Sequence, residues 1–406
     1  MDPGIRPLRS RIPGSTRRPC NVLSCVAYDL GDEEVAVQIT GAVLEESGRS
    51  GPFASTRPLT VSELELDDPG PTELLVRIES AGLCHSDLSV VDGNRPRPTP
   101  MLLGHEAAGI VERAGDDVHD VSVGDRVVLT FLPRCGECAG CRTDGRLPCE
   151  RGTASNTAGE LLAGGSRLSR DGQRIAHHLG ASAFATHAVV DRRSVVPVGS
   201  DVPPEVAALL GCAVLTGGGA VLNASGAAEG EPIMIVGLGG VGMAALLVAK
   251  ATGHPVIGVD AVPSKLEHAA ASGADATYAP DELAQAGVRA GIVIEAAGNA
   301  RAFETAFAAT APGGRTVTVG LPNPAARSSI APVILTSEAR TVVGSYLGSS
   351  VPVRDVPTYA DLWRDGRLPV ERLVSDRVAL TDINAAMDAL ASGSALRQLI
   401  TFDERN

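Results

Sequence analysis

The 406-residue chain is 44% hydrophobic and 20% charged, an ordinary globular composition, and it is long enough to predict two domains rather than one core. Its formal net charge of −13 argues against nucleic acid or an anionic membrane as the main partner, since both repel an acidic surface. Aromatic residues make up only 3%, too few for base-stacking platforms.

Residues 1–35 alternate Arg6, Arg9, Arg11, Arg17 and Arg18 with Pro3, Pro7, Pro13 and Pro19 and contain no apolar run. This predicts a disordered extension rather than a secretory signal. From about Val35 to Leu66 the pattern reads as short strands with turns at Gly41, Gly48 and Gly51-Pro52. Strands follow at Leu74–Ile78, Ala107–Glu112 and Arg126–Thr130, so the first part is a β-rich domain.

After about Gly211 the grammar changes. Pro232–Val236 reads as a buried parallel strand, followed by a glycine loop, a helix over Met243–Thr252 and a strand over Pro255–Val259. A helix capped by Ser264 runs toward Ala271, and strands recur at Gly291–Glu295 and Arg315–Val319. Alternating strand and helix implies an α/β fold with a doubly wound parallel sheet. The longest apolar stretch, Ile233–Ala249, is broken by glycines and is short for a membrane span. A helix over Ile383–Ala391 and a strand over Gln398–Phe402 close the chain.

Three constellations carry chemistry. Cys135, Cys138, Cys141 and Cys149 lie within RCGECAGCRTDGRLPCE, a spacing suited to a closed tetrahedral zinc site. Two disulfides or four free thiols are the alternative, which the short spacing and the absence of a secretion signal disfavour. Gly237-Leu238-Gly239-Gly240-Val241-Gly242 is a dinucleotide fingerprint between strand and helix, with Asp260 closing the next strand. A carboxylate there suits the ribose of NAD and repels a 2′-phosphate, and no Arg lies within 261–264. Cys84, His105 and Cys212 supply a Cys₂His set with an open fourth position, the pattern of a catalytic zinc that acidifies a bound alcohol. Of eight cysteines only Cys20 and Cys25 lack a role, which fits a reducing cytoplasm.

With these motifs in this order, residues 37 to 404 resemble the zinc-dependent medium-chain alcohol dehydrogenases of the long-insertion, dimeric type. The resemblance implies a GroES-like catalytic domain over 36–211 and 348–406, and a Rossmann NAD-binding domain over 212–347. It makes Cys84, His105 and Cys212 ligands of a catalytic zinc, and Cys135, Cys138, Cys141 and Cys149 those of a structural one, two zinc ions per subunit. It makes Asp87 the acceptor that holds the ligand imidazole, Glu106 a carboxylate behind the metal and Ser86 the hydroxyl that takes the substrate proton. Thr216 matches a residue beside the nicotinamide, Arg397 and His85 match neighbours of the pyrophosphate, and Lys265 matches a lysine at the adenosine ribose. Cofactor contacts thus fall to His85, Thr216, Gly237, Gly239, Gly240, Gly242, Asp260, Lys265 and Arg397. Position 89 is Ser where some members end the proton relay with histidine, so the onward path of the proton is open.

Residues 150–181 resemble the longer insertion of the dimeric members, and His177-His178 near its end read as structural or loop residues because both zinc sets are already complete. The expected function is NAD-dependent oxidation of an alcohol, or the reverse, by a cytoplasmic homodimer acting on a small molecule. Two alternatives remain: a dehydrogenase of hydroxymethyl thiol adducts formed from formaldehyde, and a non-catalytic NAD-binding redox sensor. The first needs a cationic anchor at the pocket mouth, for which the Arg-rich stretches 142–151 and 167–174 are candidates.

Overall fold

A computed structural model describes residues 37–402, and the predicted extension over 1–35 lies outside the described residues. Alternating apolar positions form a small closed barrel from Val37–Leu44, Leu59–Leu66, Leu168–Arg170, Gln173–His177 and Met101–Leu102, in that spatial order. A second sheet runs Val195–Val198, Arg126–Leu129, Glu106–Ala114, Glu73–Gly82, Arg397–Thr401, Val374–Val378, with His187–Asp191 also paired to Glu73–Gly82. The chain end therefore returns to the β-rich part: Arg397–Thr401 pairs antiparallel with Glu73–Gly82.

The third sheet is parallel, in the order Ala276–Tyr278, Val256–Val259, Ile233–Val236, Ala290–Glu295, Thr310–Thr318, Thr341–Gly344. Counted along the chain this is 3-2-1-4-5-6, the doubly wound order that opens a crevice beside the first strand's carboxyl end. The glycine turn sits at that end, after Ile233–Val236.

Two local expectations are corrected. Gly41 lies inside the strand Val37–Leu44 rather than in a turn. A Cβ there would come within 2.9 Å of Leu102 Cδ1, so the residue serves barrel packing. Ser264 does not cap its helix, which runs Pro263–Ala271 after Val262 with no side-chain cap. A further helix, for which no local pattern speaks, runs over Pro204–Ala224. It passes a length and hydropathy test for crossing a bilayer, yet 89% of its most apolar window is buried inside the protein.

Glycine weakens helices, and this one holds Gly211, Gly217, Gly218 and Gly219. Packing explains them. A Cβ on Gly217 would lie 2.3 Å from Val241 O, one on Gly218 2.7 Å from the Tyr359 ring, and one on Gly219 2.4 Å from Gly348 O. The helix thus lies against the glycine-turn helix Gly240–Ala251 closer than any other residue type allows.

Candidate metal and cofactor sites

Cys84 precedes the helix His85–Val91, and the Asp87 carboxylate bends back to accept its main-chain N–H at 3.1 Å. The same carboxylate accepts from Gly104 N at 3.3 Å and lies 2.9 Å from His105 Nδ1. His105 and Asp87 are fully buried. Burial alone would raise the Asp87 pKa, but the His105 imidazole outweighs it and holds the carboxyl down at about 2. An ionised Asp87 can only accept, so the proton sits on His105 Nδ1 and the Nε2 lone pair points the other way.

That lone pair faces Cys212 Sγ at 3.4 Å, and Cys84 Sγ lies 3.9 Å from Cys212 Sγ. Tetrahedral zinc with sulfur at about 2.3 Å needs S–S edges of about 3.8 Å. The three buried ligand atoms therefore already have the spacing that zinc requires. Their titration agrees: Cys84 is pulled well below its ordinary value and Cys212 pushed well above it, each mainly through the other's thiol. Two adjacent thiols share one proton until a cation lets both ionise.

Glu106 stands behind this set, fully buried. Its Oε1 accepts from Ala213 N at 3.1 Å, and its Oε2 has only Arg397 Nε, 3.5 Å away. Burial pushes its carboxyl up to about 7 against the pull of Arg397. Arg397 donates Nη1 to Leu83 O at 3.0 Å and reaches the glycine turn, where a Cβ on Gly240 would meet its Nε at 2.6 Å.

The other cysteines form the second set. Cys135–Cys141 and Cys138–Cys149 sulfurs are each 3.9 Å apart, and all four lie within 4.8 Å of one another. Main-chain N–H groups of Glu150 and Cys141 draw Cys138 down to about 6, whereas burial pushes Cys141 up to about 12. Four like charges so close cannot coexist without a cation, and zinc fits the spacing.

The dinucleotide cradle is equally specific. Gly237 has φ +94, and a Cβ there would strike Ala297 N at 2.5 Å. A Cβ on Gly242 would lie 1.8 Å from Gly237 O, which seats the helix on the turn. A Cβ on Gly239 would meet nothing within 4 Å, so that side of the turn is open to a ligand. Asp260 accepts from Leu238 N at 2.7 Å and Val262 N at 2.9 Å. His85 opens the helix His85–Val91 directly after Cys84, and Lys265 lies in the first turn of the helix Pro263–Ala271 that follows Asp260. Thr216 follows Cys212 by one turn on the same helix and is 8% exposed.

Sequence reasoning missed part of the site. His178 is buried with Nε2 3.2 Å from Asp87 Oδ1, and its ring packs edge-on 5.5 Å from that of His105. The His177-His178 pair was visible, but its approach to Asp87 depends on a strand, Gln173–His177, from the insertion. Phe131 packs edge-on against His105 at 5.7 Å and Tyr346 against Phe131 at 5.9 Å, an aromatic wall without a local sequence signal. Arginines of the two Arg-rich stretches are largely engaged: Arg151 pairs with Glu137, Arg167 with Glu73, Arg170 with Glu45 and Arg174 with Glu160.

Residues 70–200 match the alcohol dehydrogenase GroES-like domain and residues 240–364 the zinc-binding dehydrogenase domain. The chain is 34% identical to geraniol dehydrogenase of Castellaniella defragrans, over 92% of this chain and 100% of that protein. Among solved structures it superimposes with a TM-score of 0.82 on benzyl alcohol dehydrogenase of Acinetobacter calcoaceticus, at 29% identity, covering 90% and 100% of the two chains. A zinc-binding alcohol dehydrogenase domain protein of Burkholderia ambifaria gives a TM-score of 0.83 at 30% identity, covering 91% and 100%.

Proposed function

The chain belongs to the zinc-dependent medium-chain alcohol dehydrogenases, oxidoreductases that use a nicotinamide cofactor, and from that premise we propose an NAD-dependent enzyme with two zinc ions per subunit, acting on primary alcohols that carry an unsaturated, apolar body. The carrying observation is the Cys84–His105–Cys212 set beside the Phe131–Tyr346 wall. Geraniol and benzyl alcohol, named for the relatives, are both primary alcohols next to an sp² carbon. Such a body suits a wall of aromatic rings.

Zinc at Cys84, His105 and Cys212 would supply Lewis acidity toward the substrate hydroxyl, and the nicotinamide would accept the hydride. The residues supply the rest. Ser86 Oγ, which has no protein partner among the described residues, accepts the hydroxyl proton as it gives up its own toward solvent. One turn on, Ser89 Oγ donates to Ser86 O at 2.9 Å, so a second hydroxyl lies on the same face of the helix. Asp87 fixes the His105 ring and tautomer. Phe131 and Leu179, buried in one cluster with Cys84 and Cys212, keep water from the reacting carbon.

Asp260 supports NAD over NADP, since a 2′-phosphate beside this half-buried carboxylate would meet like charge. Like-charge contacts cost several kcal/mol, so Asp260→Gly with Ala261→Arg should shift the NADP-to-NAD ratio of kcat/KM by about 10²-fold toward NADP. Steady-state kinetics with both cofactors checks this. A wild type already faster on NADP would refute it.

The assembly we propose is a homodimer joined at the edge strand Thr341–Gly344. Among the described residues that strand pairs on one side only, and exposed Val342 lies on it, with exposed Val333 and Leu321 in the segment that leads to it. Light scattering should give twice the chain mass, and Val342→Lys should lower it. A monomeric wild type excludes the dimer.

A further inference from the structure

Glu295 ends the parallel strand Ala290–Glu295 and is 1% exposed. It forms no ion pair among the described residues, although a glutamate is almost never so fully buried unless it is paired. Hydrogen bonds stand in for the missing cation. Its Oε1 accepts from Ala297 N at 2.9 Å and Gly298 N at 2.7 Å, and its Oε2 accepts from Thr318 Oγ1 at 2.7 Å. The side chain thus bends the chain leaving its strand into a turn, with Gly298 at φ +68, and fastens that turn to the end of the next strand, Thr310–Thr318. Bonds to a carboxylate are about twice as strong as those between neutral groups, so the fixture is firm.

The turn is wedged against the cofactor cradle. A Cβ on Gly237 would lie 2.5 Å from Ala297 N, and one on Gly320 would lie 2.3 Å from Gly298 N and 2.8 Å from Glu295 Oε2. Ala296 N donates to Val236 O at 2.8 Å, just before the glycine turn begins. Glu295, Thr318 and Gly320 also border a cavity of about 300 Å³ that Phe303 and Pro322 help to line, so a turn released from Glu295 has room to move. The strands run in the order Val256–Val259, Ile233–Val236, Ala290–Glu295, so Asp260 and Glu295 flank the glycine turn from opposite sides. A dinucleotide lies across the carboxyl ends where the strand order reverses, with its pyrophosphate at the glycine turn. With the adenosine ribose on the Asp260 side, the nicotinamide end falls on the Glu295 side.

We propose that Glu295 is a positioning residue for the nicotinamide end of the cofactor: its three hydrogen bonds hold the turn 296–298 in the shape against which the nicotinamide riboside lies. This rests on the nicotinamide-dependent reading above. The carboxylate itself stays behind the turn and acts through it, as a supporting side chain that fixes the groups in contact with a ligand.

Zinc-loaded wild type and three variants test it by two titrations: NADH, followed by fluorescence, and ADP-ribose, which lacks the nicotinamide, followed by calorimetry. Glu295→Leu should raise the Kd for NADH by about 10- to 100-fold, since it strands two main-chain donors and frees the turn. The Kd for ADP-ribose should change by less than about threefold, because the glycine turn and Asp260 keep their contacts. Thr318→Val keeps the shape and removes only the hydroxyl on Oε2. It should weaken NADH binding by about 3- to 10-fold, and it reads the role even where the leucine variant fails to fold. Glu295→Gln should recover most of the loss, because its amide oxygen can accept from Ala297 N and Gly298 N while its amino group donates to Thr318 Oγ1. Unchanged NADH binding in Glu295→Leu or Thr318→Val, or an equal loss of NADH and ADP-ribose, overturns the positioning role and leaves the cofactor reading standing. A glutamine variant as weak as the leucine one overturns it as well, since charge rather than hydrogen bonding would then be at work. A wild type that binds neither NADH nor ADP-ribose overturns the nicotinamide reading and this role with it.

Discussion

Cys212→Ser should reduce alcohol oxidation by a factor on the order of 10³ or more, because Lewis acidity is worth several kcal/mol and each tenfold in rate is about 1.36 kcal/mol. The chain should still fold. Cys212 is 3% exposed in the middle of the helix Pro204–Ala224, and serine fits the same space but is a poor zinc ligand. Elemental analysis should give two zinc ions per wild-type chain and one in the variant. Cys138→Ser should behave differently. It removes a half-buried ligand of the second set, so the expected result is a lower Tm and weaker assembly. Comparable unfolding by both variants would show the roles misassigned, and one zinc or none in an active wild type would sink the two-site reading.

The other large effect concerns the proton. Ser86→Ala should slow oxidation by about 10²–10⁴-fold, the range of general acid–base assistance, with little change in NAD affinity. Ser86 sits in the first turn of the helix His85–Val91, and Ser89 follows one turn later on the same face. The Ser89 hydroxyl cannot titrate near neutrality, whereas histidine can. If proton release limits turnover, Ser89→His should therefore raise the rate below neutrality. Pre-steady-state and steady-state pH profiles of the three enzymes measure this. A silent Ser86→Ala, with no pH effect of Ser89→His, means that the proton leaves by another route.

Much of this site was legible before any coordinates. Seven candidate ligand residues separate in sequence into a Cys₂His and a Cys₄ set, and within each set the donor atoms lie within 4.8 Å of one another. Glu106 and Arg397, assigned only through the resemblance, meet behind the ligands at 3.5 Å. The fingerprint Gly237–Gly242 lies between the strand and helix that its mechanics demand. These features are readable because short-range spacing fixes them. Ligands two or three residues apart close around one ion, and a strand–glycine–helix turn is specified by a handful of adjacent residues.

Features that depend on two distant segments were not readable. Helix propensity speaks against Gly217–Gly219, and only the approach of Val241, Tyr359 and Gly348 explains why the helix tolerates them. His178 reads as a loop residue until strand pairing lays it against Asp87, 91 positions earlier in the chain. Phe131 and Tyr346 lie 215 positions apart, and only the fold stacks them edge-on at 5.9 Å beside His105. By itself the sequence determined the chemistry, because metal and phosphate cradles are local and demand particular atoms at particular spacings. The tertiary structure decided the aromatic wall beside that chemistry, because such a wall is assembled from side chains that only long-range packing brings into contact.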